Sequence, residues 1–152
     1  MNTSSDYTTD YKALSVLTIA LMIGILLFSV ISLVIHFIQG AFIKDKSLEN
    51  LISIILLAIA AVVILGARLV YTKRVNSLME TNQTSREKLD IFRAITITHM
   101  ALCEVPAILS IVMFICFGNF LLFLPVAMAL IEMFKKFPTQ QRIDSAVNSG
   151  TF

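Results

Sequence analysis

ALSVLTIALMIGILLFSVISLVIHFI, residues 13–38, decides the fold. Its only titratable side chain is His36. It exceeds the ~20 apolar residues that carry a helix across a hydrocarbon core ~30 Å thick. The residues before it, Met1 to Lys12, set Asp6 and Asp10 against a single Lys12. A cleavable signal peptide needs a basic leader and a small-residue cleavage site, and neither is present. The stretch therefore reads as a retained membrane helix preceded by a tail over residues 1–12.

Three more uncharged runs follow. Leu51–Ala67 spans if it continues to Tyr71 with Arg68 snorkelling to the interface. A third run follows Arg93 and reaches Phe117, interrupted by His99 and Glu104. The fourth, Phe120–Ile131, is short and crosses only if its helix continues to about Phe137. Glu132 and Lys136 then lie near the headgroups, with the i,i+4 spacing of a local ion pair. Composition agrees: 57% of residues are hydrophobic and only 14% charged, whereas a soluble domain has roughly a quarter charged. The expected fold is all-α, a polytopic membrane protein whose transmembrane domain covers 13–137. Four helices, about 13–38, 50–74, 86–117 and 119–137, form two antiparallel hairpins. A polar, frayed tail over 138–152 follows.

Orientation comes from Lys and Arg, which concentrate in cytoplasmic loops. Of the twelve, ten fall on one side: Lys12, Arg68, Lys73, Arg74, Arg86, Lys88, Arg93, Lys135, Lys136 and Arg142. Lys44 and Lys46 fall on the other. Both termini are thus expected in the cytoplasm. The basic residues from Arg68 to Lys136 serve as topology determinants and meet lipid headgroups. Ser47 or a neighbour is expected to cap the second helix. Thr84-Ser85-Arg86-Glu87 has capping-box spacing, Gly118-Asn119 suits a tight outer turn, and Pro138 ends the last helix. His36 reads as a polar residue at a helix end.

Helices in lipid associate through close packing, which favours small residues. Ala20 and Gly24 in the first helix, with Ala58, Ala61 and Gly66 in the second, are the candidates. They serve packing within the chain or a seam between copies.

Glu104 is the candidate proton or cation site. It lies eleven residues beyond Arg93, about 16 Å into the membrane, where a charge costs at least ~2.5–3.5 kcal/mol. At that depth the other helices offer Gly24, Ala60-Ala61 and Met128, none basic. Pro106 leaves the Leu102 carbonyl without its helical partner, so a freed carbonyl stands near a carboxyl. Pro125 does the same for Leu121. The structural alternative is a carboxyl bonded to the Met100 carbonyl or to another helix.

Other chemistry is thin. His99 and Cys103 share a helical face, but two ligands do not make a zinc site. Cys103 and Cys116 are about 20 Å apart on one helix, too far to bridge. No dinucleotide, Walker or metalloprotease motif occurs, so no cofactor and no enzymatic activity is expected. A net charge of +2 does not suggest a nucleic-acid partner.

Ala101-Leu102-Cys103-Glu104-Val105-Pro106-Ala107, the Gly118-Asn119 turn and Pro138-Thr139 together resemble a family of uncharacterised four-helix membrane proteins of Bacteroidota. Relatives usually carry Gly at the position of Val105 and Arg at that of Phe137. The resemblance implies a four-helix architecture, and with it the bacterial inner (cytoplasmic) membrane is the expected location. The Ala101-Leu102-Cys103-Glu104 segment is also similar to the ion-binding helix of ATP synthase c subunits, which implies ion chemistry at Glu104. The leading expectation is an accessory or scaffold subunit that packs with a second copy or a larger membrane complex. The alternative is a proton- or cation-coupled transporter, or ion-translocating subunit, in which Glu104 exchanges a proton or sodium. That alternative requires an oligomer, because so few polar residues line the helices.

Overall fold

The computed structural model describes residues 3–43, 45–81 and 83–148, with side chains described for 12–43, 45–81, 83–143 and 145. It is all-helical, with no strand among the described residues. The helices are α1 (Thr3–Gln39), α2 (Lys46–Glu80), α3 (Ser85–Phe117), α4 (Phe123–Lys135) and α5 (Gln140–Asn148). A single 3-10 turn, Phe120–Leu122, leads into α4. Three segments are long and apolar enough to cross a membrane: Lys12–Gln39 of α1, α2 and α3. They are compatible with a multi-pass membrane protein. The outward surface agrees, since Phe37, Ile38, Val62, Leu69 and Phe134 are all more than 70% exposed. Soluble monomers rarely show contiguous apolar surface beyond a few hundred Å².

Several boundaries differ from the expected ones, for local reasons. Helix α1 already begins at Thr3, within the expected tail. Helix α2 begins at Lys46 because Asp45, two residues before Ser47, is its cap; the carboxylate accepts from the Ser47 and Leu48 amides. It runs on to Glu80, past the expected end near 74. The Thr84–Glu87 capping box is formed in both directions. Helix α4 alone has 13 residues, short of the ~20 a crossing needs. Pro125 sits in its first turn, where a missing N–H costs nothing, so Pro106 is the proline that lies inside a helix. The expected frayed tail contains α5, whose Ile143 is buried against Leu14, Leu78, Leu89 and Phe92.

In cross-section the bundle is a rhombus. Helices α3 and α4 share the short diagonal, and α1 and α2 each pack on both of them from opposite corners. Consecutive α1 and α2 hardly touch among the described residues. They are therefore neighbours in sequence and not in packing.

One end of the bundle gathers the start of α1, the α2–α3 turn and α5. There Ser15 Oγ donates to the Pro138 carbonyl at 3.2 Å. The other end is aromatic: His36 packs on Phe114 and Phe120, with centroids 5.1 and 5.9 Å apart. The Ile43 amide ties the α1–α2 loop to the Cys116 carbonyl. Gly118 closes α3 at φ 75°, and a Cβ there would stand 2.5 Å from His36 Cε1. Only glycine satisfies both the left-handed backbone and that approach.

Between the ends lies an apolar core of Ile25, Ile64, Met100, Ala107, Ile111, Val126 and Met133. Several buried hydroxyls bond back into their own helices, Thr18 to Leu14, Ser29 to Ile25 and Thr96 to Phe92, while those of Ser53 and Ser110 have no partner among the described residues. Bonding back satisfies the hydroxyl within its own helix.

Candidate functional site: a polar cluster between the helices

The most polar contact among the helices is built from α2, α3 and α4 on the side of the core nearer α5. Its centre is His99, 2% exposed. The Nδ1 atom of His99 lies 3.3 Å from the Ala67 carbonyl oxygen across the α2–α3 interface. A carbonyl can only accept, so Nδ1 carries the hydrogen and fixes the ring tautomer. In the neutral ring, Nε2 then offers its lone pair to the Cys103 thiol, whose sulfur is 3.9 Å away. The i,i+4 spacing of His99 and Cys103 brings this about directly.

The ring of His99 also lies against Tyr71 of α2, centroids 4.9 Å apart at 49°. Lys136, which caps the end of α4, sets its ammonium 5.1 Å from the centroid of the same Tyr71 ring, a cation–π contact. One turn earlier, Glu132 is buried, with its Oε1 3.9 Å from Arg68 Nε. Oε1 accepts no hydrogen bond among the described residues. The Arg68 side chain remains 55% exposed, while its Nε faces the buried carboxylate. Glu132 and Lys136 do not pair with each other among the described residues, contrary to the i,i+4 expectation. Burial turns Glu132 toward α2, and Tyr71 captures Lys136.

Chemically, this arrangement holds helices together. Cys103 is fully buried. The cavity beside His99, lined by Ala67, Tyr71 and Leu102, has about 10 Å³, room for a single water at most. No group of three His, Cys, Asp or Glu among the described residues is placed to hold a metal ion. Both cysteines are free thiols.

The sequence-derived candidates are dispersed around this cluster. Pro106 is buried, Leu102 lies at the wall of the small cavity, and Glu104 is half-buried at the rim of the packed face. Positions 102 and 104 are two residues apart, about 200° around a helix, so their side chains do not converge. Glu104 has no hydrogen-bond or ionic partner among the described residues. Of the small residues, Ala20 and Ala58 are exposed, Ala61 is half-buried, and a Cβ added at Gly24 or Gly66 would meet nothing within 4 Å. The alanines that pack inside the chain are instead Ala60, Ala67, Ala107 and Ala129.

Among the basic residues, Lys73, Arg74, Arg86 and Lys135 are exposed, Arg93 and Lys136 half-buried, and Lys88 buried. The pairing of Glu132 with Arg68 escaped the sequence. The available signal was the run Val126, Ala129, Glu132, Met133, which places Glu132 on the buried face of α4. Compared with protein-family models, with curated proteins and with solved structures, this chain finds no match.

Proposed function

We propose that the protein is a four-span component of a bacterial inner membrane with both ends cytoplasmic. In this reading it acts as an accessory or scaffold subunit, packing against a second copy or a larger membrane complex. The 3-10 turn and α4 return the chain from the aromatic end to the end where Ser15 meets Pro138. That geometry favours an even number of crossings. The Lys and Arg distribution supports the cytoplasmic assignment.

One observation carries the functional reading: among the described residues the interior of the bundle is mostly apolar. Residues such as Met100, Ala107, Ile111, Val126 and Met133 fill the space between the His99 cluster and His36. The outward positions Ala20, Gly24, Ala58 and Gly66 leave room for another helix to approach closely.

Photocrosslinking in native membranes tests this. A photoreactive residue in place of Ala20 or Ala58 is expected to give a protein adduct of fixed mass. Gly24→Leu or Gly66→Leu, respectively, should abolish that adduct. Lipid adducts alone from both positions would sink the proposal.

A further inference from the structure

At the α5 end, a cleft of about 260 Å³ opens between α2, α3, α4 and α5. Its polar wall consists of Tyr71, Thr72, Asn76, Lys136, Arg142 and Ser145. Its volume matches roughly nine waters of liquid, enough for a phosphate group and the glycerol attached to it. Among the described lining residues two are cationic and none is acidic.

Both cations are already positioned. Lys136 is held over the Tyr71 ring at 5.1 Å. Arg142 donates from one Nη to the Phe137 carbonyl at 3.4 Å. A guanidinium has five N–H donors in a rigid fork, so the rest of the fork is left for a bidentate oxyanion. The apolar wall, Val75, Met79 and Phe92, suits the uncharged part of such a ligand. Helix α5 is what makes the cleft: Ile143, on its buried face, anchors the helix that carries Arg142 and Ser145.

We propose that this cleft binds a phosphate-bearing anion, and that the anion is the headgroup of an acidic phospholipid. It lies where the basic end of a membrane-spanning bundle meets the headgroup layer, and basic pockets at that level select anionic lipids. The proposal rests on the membrane reading above for the source of the phosphate. The phosphate-binding chemistry comes from the cleft itself.

The test is native mass spectrometry of the protein in nonionic detergent at 150 mM salt, where long-range attraction is screened. The protein is offered phosphatidylglycerol and phosphatidylcholine in equal amounts. One phosphatidylglycerol is expected to be retained in preference to phosphatidylcholine. Arg142→Gln and Lys136→Gln should each weaken that retention about fivefold or more. Arg142→Lys should restore most of it, and Lys73→Gln and Arg86→Gln should change it less than twofold.

Ser145→Asp places a carboxylate at the mouth without touching either cation, and it should abolish retention even if Arg142→Gln fails to fold. Inorganic phosphate separates the two sources. Displacement of the lipid at millimolar phosphate marks a site for free phosphate, whereas persistence marks the headgroup as the ligand. Equal losses in all the basic-residue variants, or no preference for phosphatidylglycerol, overturn the site. Alkaline carbonate extraction distinguishes that failure from failure of the membrane reading, because only the latter releases the protein from membranes.

Discussion

Removing Arg68 should cost stability only while Glu132 is present. The two charges approach to 3.9 Å, which gives about 4 kcal/mol of attraction at an effective dielectric of 20. More than half of the Arg68 side chain is exposed, so solvent screening reduces this to about 1–2 kcal/mol. Dehydrating the Glu132 carboxylate costs several kcal/mol, and its Oε1 has no hydrogen bond to offset that. The carboxylate is therefore a net burden that Arg68 lightens. Glu132→Gln should be neutral or stabilising by about 1 kcal/mol, because the amide fits the same space without a charge. Arg68→Ala should destabilise the wild-type chain by about 2 kcal/mol, and the Glu132→Gln chain by less than about 0.5 kcal/mol. The assay is unfolding free energy in bicelles by detergent titration at neutral pH, run as a double-mutant cycle. Equal costs for Arg68→Ala in both backgrounds, or a loss above about 1 kcal/mol for Glu132→Gln, would refute the reasoning.

Three further outcomes are expected in the same system. Gly118→Ala forces a side chain into φ 75° and against His36; it should cost at least about 1–2 kcal/mol, of which His36→Ala relieves the steric part but not the backbone part. Ile143→Ala removes the anchor of α5; about 2 kcal/mol of docking should be lost, read as faster hydrogen exchange across 140–148 with α2 and α3 unchanged. Glu104→Gln should shift stability by less than about 0.5 kcal/mol, because Glu104 is half-exposed and has no partner among the described residues. A larger loss would mean that Glu104 holds helices together.

The sequence makes helices legible where charge is missing over a long interval, and it makes ends legible where a cap has a fixed spacing. Residues 13–38 needed no tertiary information, and neither did Thr84–Glu87 or Gly118. Helix α5 was not legible, because its polar composition hides the single residue, Ile143, that docks it. Side-by-side order was equally hidden. A six-residue loop over 40–45 suggests a packed pair, yet α1 and α2 sit at opposite corners. In lipid no hydrophobic force draws consecutive helices together, so packing shape decides which faces meet.

The two carboxylates show what a depth argument can and cannot reach. Counting residues from a charged boundary gives position along the membrane normal, and it singles out Glu104. It gives no azimuth, and azimuth decides whether a carboxyl meets another helix. Glu104 lies at the rim of the face formed by Met100, Cys103 and Ala107, while Glu132 continues the buried row of Val126 and Ala129. The sequence sets both Glu132 and Arg68 close to other basic residues. Their meeting depended on α2 and α4 lying side by side, which no loop length dictates. The same adjacency brings Lys136 onto Tyr71 and forms one wall of the cleft beneath α5. The polar contacts of this small chain thus gather toward the end where α2, α3, α4 and α5 converge.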